Sequence, residues 1–140
     1  MTAADSALSI RSVAPADLYD TRAAGFAQVV VAGGGRLAVL SGMVAYDTGR
    51  NLIGAGDHAA QLRQALRNVT AALAGVGATV ENVILLRIYI VGYDVAQLPM
   101  LHEALREAFG AHHAANTLVG VAALARPGLL VEVEAMAMIA

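Results

Sequence analysis

Two charges interrupt otherwise apolar, strand-like runs: Arg87 within VILLRIYIV and Glu132 within LLVEVEAMAMI. A charge in such a setting is costly unless it is paired. One reading makes each half of a structural ion pair across strands or subunits, with Glu132 or Glu134 as the acid nearest in kind to Arg87. The other puts both at a cleft between subunits, where the guanidinium would hold a small carboxylate. Other candidates are weaker. Ser41 lies in Val39-Leu40-Ser41-Gly42-Met43, which lacks the G-x-S-x-G elbow of a serine nucleophile. His112 and His113 are adjacent, so their side chains diverge, and no spaced carboxylate completes a ligand set. Glu103 and Glu107, with His102 beside the first, fit a solvated helix face. Gly33-Gly34-Gly35 precedes a strand rather than a helix, so it reads as a turn and not a phosphate cradle. Gly54-Ala55-Gly56 does precede a helix, but Asp57 occupies its positive end and disfavours a bound anion.

Two absences narrow the chemistry further. The sequence has no cysteine, which excludes disulfides and thiol nucleophiles. All nine basic residues are arginine, so no lysine can form a Schiff base. Any imine chemistry must start from an imine already in the substrate. Net charge is −2 with both signs interspersed, which is no footprint for nucleic acid. No apolar run reaches the length of a membrane helix, and the N-terminus lacks the pattern of a signal peptide. A soluble, cytoplasmic protein is expected, without nucleic-acid or membrane partners.

The elements that must position these residues follow from periodicity. Residues 9–14 suggest a short strand. Residues 26–32 and 36–44 are apolar runs around the glycines and suggest a hairpin. Asp57 caps a helix whose stripe is Leu62, Ala65, Leu66, Val69, Ala72, Leu73 and Val76, ended by Gly75 and Gly77. A second helix is expected over 95–109, and strands over 83–91, 117–124 and 130–139. Residues 1–8 read as a loose leader to a single domain spanning 1–140. The layout is α+β: a six-stranded mixed sheet with two helices on one face.

That arithmetic leaves a face uncovered. Two helices about 10 Å wide cover roughly four or five strands, on one side only. On strand 83–91 one side shows Ile84, Leu86, Ile88 and Ile90, and the other Leu85, Arg87, Tyr89 and Val91. On strand 130–139 the sets are Val131, Val133, Ala135, Ala137, Ile139 and Glu132, Glu134, Met136, Met138. The second face is half apolar, and 58% of the whole chain is apolar. The simplest cover is a second copy of the chain, which makes a closed homo-oligomer the expectation.

Several segments in order then carry a resemblance over residues 25–137. They are Gly25-Phe26-Ala27-Gln28, Leu40-Ser41-Gly42, the run from Gln61 to Val69, Arg87-Ile88-Tyr89-Ile90, Thr117 with Val119-Gly120-Val121, and Val131-Glu132-Val133-Glu134-Ala135. The chain resembles the RidA-like, or YjgF-type, reactive-intermediate deaminases. The resemblance implies a chorismate-mutase-like fold and a homotrimer around a central β-barrel, with a ligand cleft between each pair of subunits. It also implies hydrolysis of imine or enamine acids to keto acids and ammonia, with no metal or organic cofactor. In that scheme an arginine grips the substrate carboxylate, and a glutamate with backbone groups positions water.

Glu132 matches that glutamate after a loop one residue longer, Phe26 matches an aromatic position, and Ser41 and Gly42 are intact. The arginine does not match: the segment reads Ala114-Ala115-Asn116-Thr117, so Asn116 stands in its place. Leu118 replaces a small polar or sulfur side chain, Met43 a glutamine, and His102 a frequent asparagine. An amide cannot reproduce a guanidinium fork, at a cost of about 1.5–3 kcal/mol to a bound carboxylate. The implied site is therefore Glu132 and Asn116 for catalysis, with Phe26, Ser41, Gly42, Arg87, His102 and Leu118 binding substrate. Its alternative is a cleft that binds a small molecule or a partner protein without catalysis. If Asn116 alone lines the old carboxylate position, neutral or amide-bearing ligands should be preferred.

Overall fold

The longest apolar stripe in the sequence becomes α1, His58–Ala74, in the computed structural model, which describes residues 7–140. Asp57 caps it as expected, its carboxylate accepting from the Ala60 amide at 3.0 Å, and Gly75 ends it. Leu62, Ala65, Leu66, Val69 and Leu73 are buried against the sheet. The leader expected over 1–8 lies mostly outside the described residues.

Six strands form, with two helices on one side, so the α+β layout holds. The strands are β1 (Ser9–Val13), β2 (Val29–Gly33), β3 (Arg36–Val44), β4 (Val83–Val91), β5 (Ala115–Val121) and β6 (Val131–Ile139). They divide into a four-stranded mixed sheet, ordered β3-β6-β4-β5, and a two-stranded ribbon of β1 and β2. Among the paired strands of the described residues, only β4 and β5 run parallel. The ribbon meets the sheet edge where Ala27 bridges Ala115 and the Ala27 amide donates to the Ala114 carbonyl at 2.9 Å. One continuous six-stranded sheet is thus replaced by four strands plus two.

The expected hairpin of β2 with β3 does not form. β2 pairs with β1, and β3 pairs antiparallel with β6 along almost its whole length. The three glycines turn a corner between sheets instead. Gly34 is in the left-handed region (φ 70°), and added Cβ atoms at Gly34 and Gly35 would run into the backbones of Ala7 and Ile139. Three unbranched residues impose no tight-turn geometry, so the long partner β6 wins the edge of β3 over its sequence neighbour.

Two boundaries shift for local reasons. The second helix, α2, spans Leu98–Phe109, and the preceding Val95–Gln97 is a 3-10 turn capped by Asp94. Pro99 explains the step: its missing N–H and fixed φ suit the first turn of a helix and break a later one. In β4 the helix-facing residues are Val83, Leu86, Ile88 and Ile90, because an irregularity between Val83 and Leu85 moves Ile84 out of the expected set. In β6 the alternation runs as read, with Val131, Val133, Ala135 and Ala137 buried.

The core lies between α1, α2 and the inner face of the sheet. Among the described residues no helix covers the outer face. Leu37 is 57% exposed there and Val39 66%. Gln61 is fully buried, its Nε2 donating to the Gly54 and Gly128 carbonyls while its Oε1 accepts from the Leu130 amide at 2.8 Å. It ties α1 to two loops, one of them leading directly into β6. No helix among the described residues is long and apolar enough to cross a membrane.

Candidate functional site

A cavity of about 440 Å³ opens between α2, strands β4 and β5, and the loop of residues 19–26. Four sequence candidates line it: Phe26, His102, Asn116 and Leu118. β5 presents Asn116 and Leu118 on the helix side, and α2 supplies His102 beside Leu98, Leu101 and Leu105. The loop that carries Phe26 is stitched to itself and to the sheet. The Thr21 hydroxyl donates to the Phe26 carbonyl at 2.9 Å, the Gln28 amide donates to the Tyr19 carbonyl at 3.1 Å, and the next residue, Ala27, bonds β5. Carbon dominates the lining. At its rim Asp20 is bound by Arg22 at 2.6 Å, and that guanidinium holds the carboxyl down at about 2. The Asn116 side-chain oxygen is buried and has no hydrogen-bond partner among the described residues.

The remaining candidates gather elsewhere. Pairing of β3 with β6 is irregular between Leu40 and Met43, leaving Ser41 and Gly42 at a bulge. The Glu132 side chain lies over Gly42 so closely that a Cβ there would overlap its carboxylate. Gly42 therefore sets where that carboxylate can sit. No hydrogen bond or ion pair among the described residues engages it. Along β4, Tyr89 lies opposite Glu132 and Leu86 opposite Asn116. Tyr89 belongs to the outer face and Leu86 to the buried one. Within one chain Glu132 and Asn116 consequently sit on opposite faces of the sheet.

Arg87 is on the outer face, where it makes an ion pair within the chain. Its Nη1 lies 3.3 Å from Glu134, not Glu132, and the Tyr89 hydroxyl donates to the same Glu134 carboxylate. Among the other candidates, Glu107 pairs with Arg63 across the two helices at 2.9 Å, and His112 bonds the Val83 carbonyl at 2.7 Å.

The Tyr89 hydrogen bond first, and Arg87 second, hold the Glu134 carboxyl below its ordinary 4.5. A depressed carboxyl adds stability that is complete above the unfolded value and lost as pH falls through the folded one. Tyr89 is raised above 10.0, mainly by its bond to Glu134, so its contribution is lost as pH rises past that range. Glu134→Gln is expected to flatten the acid side of a plot of melting temperature against pH. The effect should stay below about 1 kcal/mol, because both charged side chains are a third or more solvent-exposed. An unchanged acid limb would mean that the cluster contributes nothing to stability.

With this geometry in view, the family is decided by sequence comparison. The family model described as Endoribonuclease L-PSP matches residues 20–139. A Yersinia pestis protein of the conserved Rid family, YyfB, is 36% identical, with a TM-score of 0.89 over 93% of this chain and 98% of its own. The chain belongs to the Rid (YjgF) family. A second member, Rv2704 of the YjgF/YER057c/UK114 family from Mycobacterium tuberculosis, is 34% identical (TM-score 0.62, covering 94% of this chain and all of that one). The structure of Escherichia coli TdcF with bound serine shares the fold at 23% identity and a TM-score of 0.65, over 74% of this chain and 81% of its own. A comparison with curated proteins gave no match.

Sequence reasoning missed several residues that shape this Rid-family cavity. Tyr19 and Thr21 sit in a loop with no periodic signal. Leu98, Leu101 and Leu105 recur at helical spacing, which by itself marks no more than the inward stripe of a helix. The spacing of α2 gave no sign that part of this stripe faces a void rather than packed side chains.

Proposed function

We propose that this protein works as a homotrimer that binds a small metabolite in clefts between subunits and hydrolyses a reactive imine or enamine there. The observation that carries the proposal is the separation of the candidate residues onto two faces of one chain. Phe26, Asn116 and Leu118 line a ready cavity, while Ser41, Gly42 and the unpaired Glu132 occupy the other face. A neighbouring copy docking its outer face against the cavity mouth would join the two sets into one site. In that site Glu132 takes a proton from water as the oxygen attacks the carbon of the protonated C=N group. Glu132 returns that proton to the nitrogen of the carbinolamine, and as the C–N bond breaks and ammonia leaves, the hydroxyl proton passes to Glu132 and the C=O bond forms. Asn116 and the Gly42 backbone polarise the substrate, and Phe26 is an apolar wall. No cofactor enters this scheme. We further propose that residues 1–140 act as one domain and that the protein works in the cytoplasm.

Asn116 favours a second reading, a binding module without catalysis, because the position lacks the cation that an amino-acid-derived substrate would need. The family model's description names an endoribonuclease, but no arginine lines the cavity to hold a phosphate backbone. A coupled assay separates the two readings. Iminopropionate or iminobutyrate is generated by a dehydratase and its disappearance is timed with and without this protein. Acceleration lost in Glu132→Ala, on the order of 100-fold or more for a general base, is the expected result. Equal rates for wild type and buffer would leave the binding module.

A further inference from the structure

The outer face sets two acids before the same two donors. On β6, Glu132 and Glu134 are two residues apart and leave the strand on one side. Their partners across on β4 are Tyr89 and Arg87 respectively. Diagonal neighbours in such a pair are about 7–8 Å apart, within reach of long and aromatic side chains. Register therefore lets Arg87 and Tyr89 serve either acid, yet both serve Glu134. Arg87 Nη1 lies 3.3 Å from its carboxylate, and the Tyr89 hydroxyl passes over its own cross-strand partner to donate there. Glu132 leans the opposite way, over Gly42 on β3, where only a glycine leaves room for its carboxylate. Resting on the reading of Glu132 as the base of an imine hydrolysis, we propose that Glu134 is a positioning residue. By engaging Arg87, and Tyr89 with it, Glu134 keeps Glu132 free to take and return a proton.

The chemistry explains why such a device is needed. A guanidinium beside a carboxylate favours its charged form and lowers the pH at which it takes up a proton, by about 1–3 pH units. The proposed hydrolysis draws a proton onto Glu132 twice, so a base held by Arg87 would be slower in both steps. Arg87 in turn needs an acid, because its strand neighbours on this face are Leu85 and Tyr89. Without Glu134, the acid within diagonal reach is Glu132. The titratable and charged groups that face Glu132 are thus Tyr89 and Arg87 from β4 and Glu134 from its own strand. β3 faces it with Ser41, Gly42 and Met43, none of them charged. Across the proposed subunit contact, the cavity of a neighbouring copy would add His102 and the mutually neutralised Asp20 and Arg22.

Carbon-13 NMR of the full chain with labelled glutamate carboxyls tests this without any activity, the Glu132 signal being assigned by its loss in Glu132→Gln. A double-mutant cycle over Arg87→Leu and Glu134→Gln separates placement from the plain addition of charges. The glutamine oxygen still accepts from Tyr89 but carries no charge for Arg87. In the Glu134→Gln background, Arg87→Leu should raise the midpoint of the Glu132 titration by about one pH unit or more. In the wild-type background the same substitution should raise it much less. Equal shifts in the two backgrounds, or none in either, overturn the proposal. Light scattering and circular dichroism check assembly and folding, and Arg87→Gln replaces Arg87→Leu if the double variant does not fold. In the imine assay, Glu134→Gln should lower kcat/KM roughly tenfold at pH 7 and move the acid limb of its pH profile downward. A coupled titration with no such kinetic change, or with an inactive wild type, would uphold the role of Glu134 towards Glu132 and remove Glu132 as the base.

Discussion

Gln61→Leu is expected to lower the unfolding free energy by about 2–4 kcal/mol, because it removes the partner of three part-buried backbone groups at once. The Gln61 amide is the partner of the Gly54 and Gly128 carbonyls and of the Leu130 amide. Leucine keeps the volume and supplies none of these bonds, and the site is fully enclosed. Each unsatisfied group costs about 1–3 kcal/mol, and some relaxation will recover part of the total. Melting temperature should fall on the order of 10 °C at fixed protein concentration. The effect should also reach the candidate site, since Leu130 immediately precedes the strand that carries Glu132. Urea denaturation read by circular dichroism checks the prediction. A loss below about 1 kcal/mol would mean that water replaces the side chain in all three bonds.

Met136→Glu is expected to convert the proposed trimer to single chains of 14.3 kDa, measured by light scattering at micromolar concentration. Met136 lies on the outer face, opposite Val39 on β3 and Leu85 on β4. These side chains form an apolar strip that no helix covers, with Val39 66% exposed in the isolated chain. If that strip is the subunit contact, a carboxylate there must leave water at every copy of the interface, at several kcal/mol for each unpaired charge. On the surface of a monomer the same substitution would be worth about 0.5 kcal/mol or less. A wild-type protein that scatters as one chain would remove the trimer. A Met136→Glu variant that stays trimeric would move the contact to another surface. Loss of assembly should also abolish any hydrolysis requiring Glu132 from one copy and Asn116 from another, without emptying the cavity that a single chain already forms.

Local chemistry was enough to read much of this protein. The Asp57 cap, the stripe from Leu62 to Leu73 and the Gly75 stop locate α1, since a helix end is decided within a turn or two of the chain. Strict alternation in β6 separates Val131, Val133, Ala135 and Ala137 from the acids and methionines, because successive side chains leave a strand on opposite faces. The substitution of Asn116 for an arginine is likewise a matter of sequence. What the tertiary structure alone decided is pairing between segments distant in the chain. The competition that gave β3 to β6 and β2 to β1 depends on which long edges meet, and the three glycines between β2 and β3 carry no information about it. The choice of Glu134 over Glu132 for Arg87 follows from the register of β4 on β6, which two sequences read separately do not fix. The void beneath α2 and the orphaned oxygen of Asn116 arise because the loop of residues 19–26 closes over it, a packing outcome with no periodic trace in the sequence.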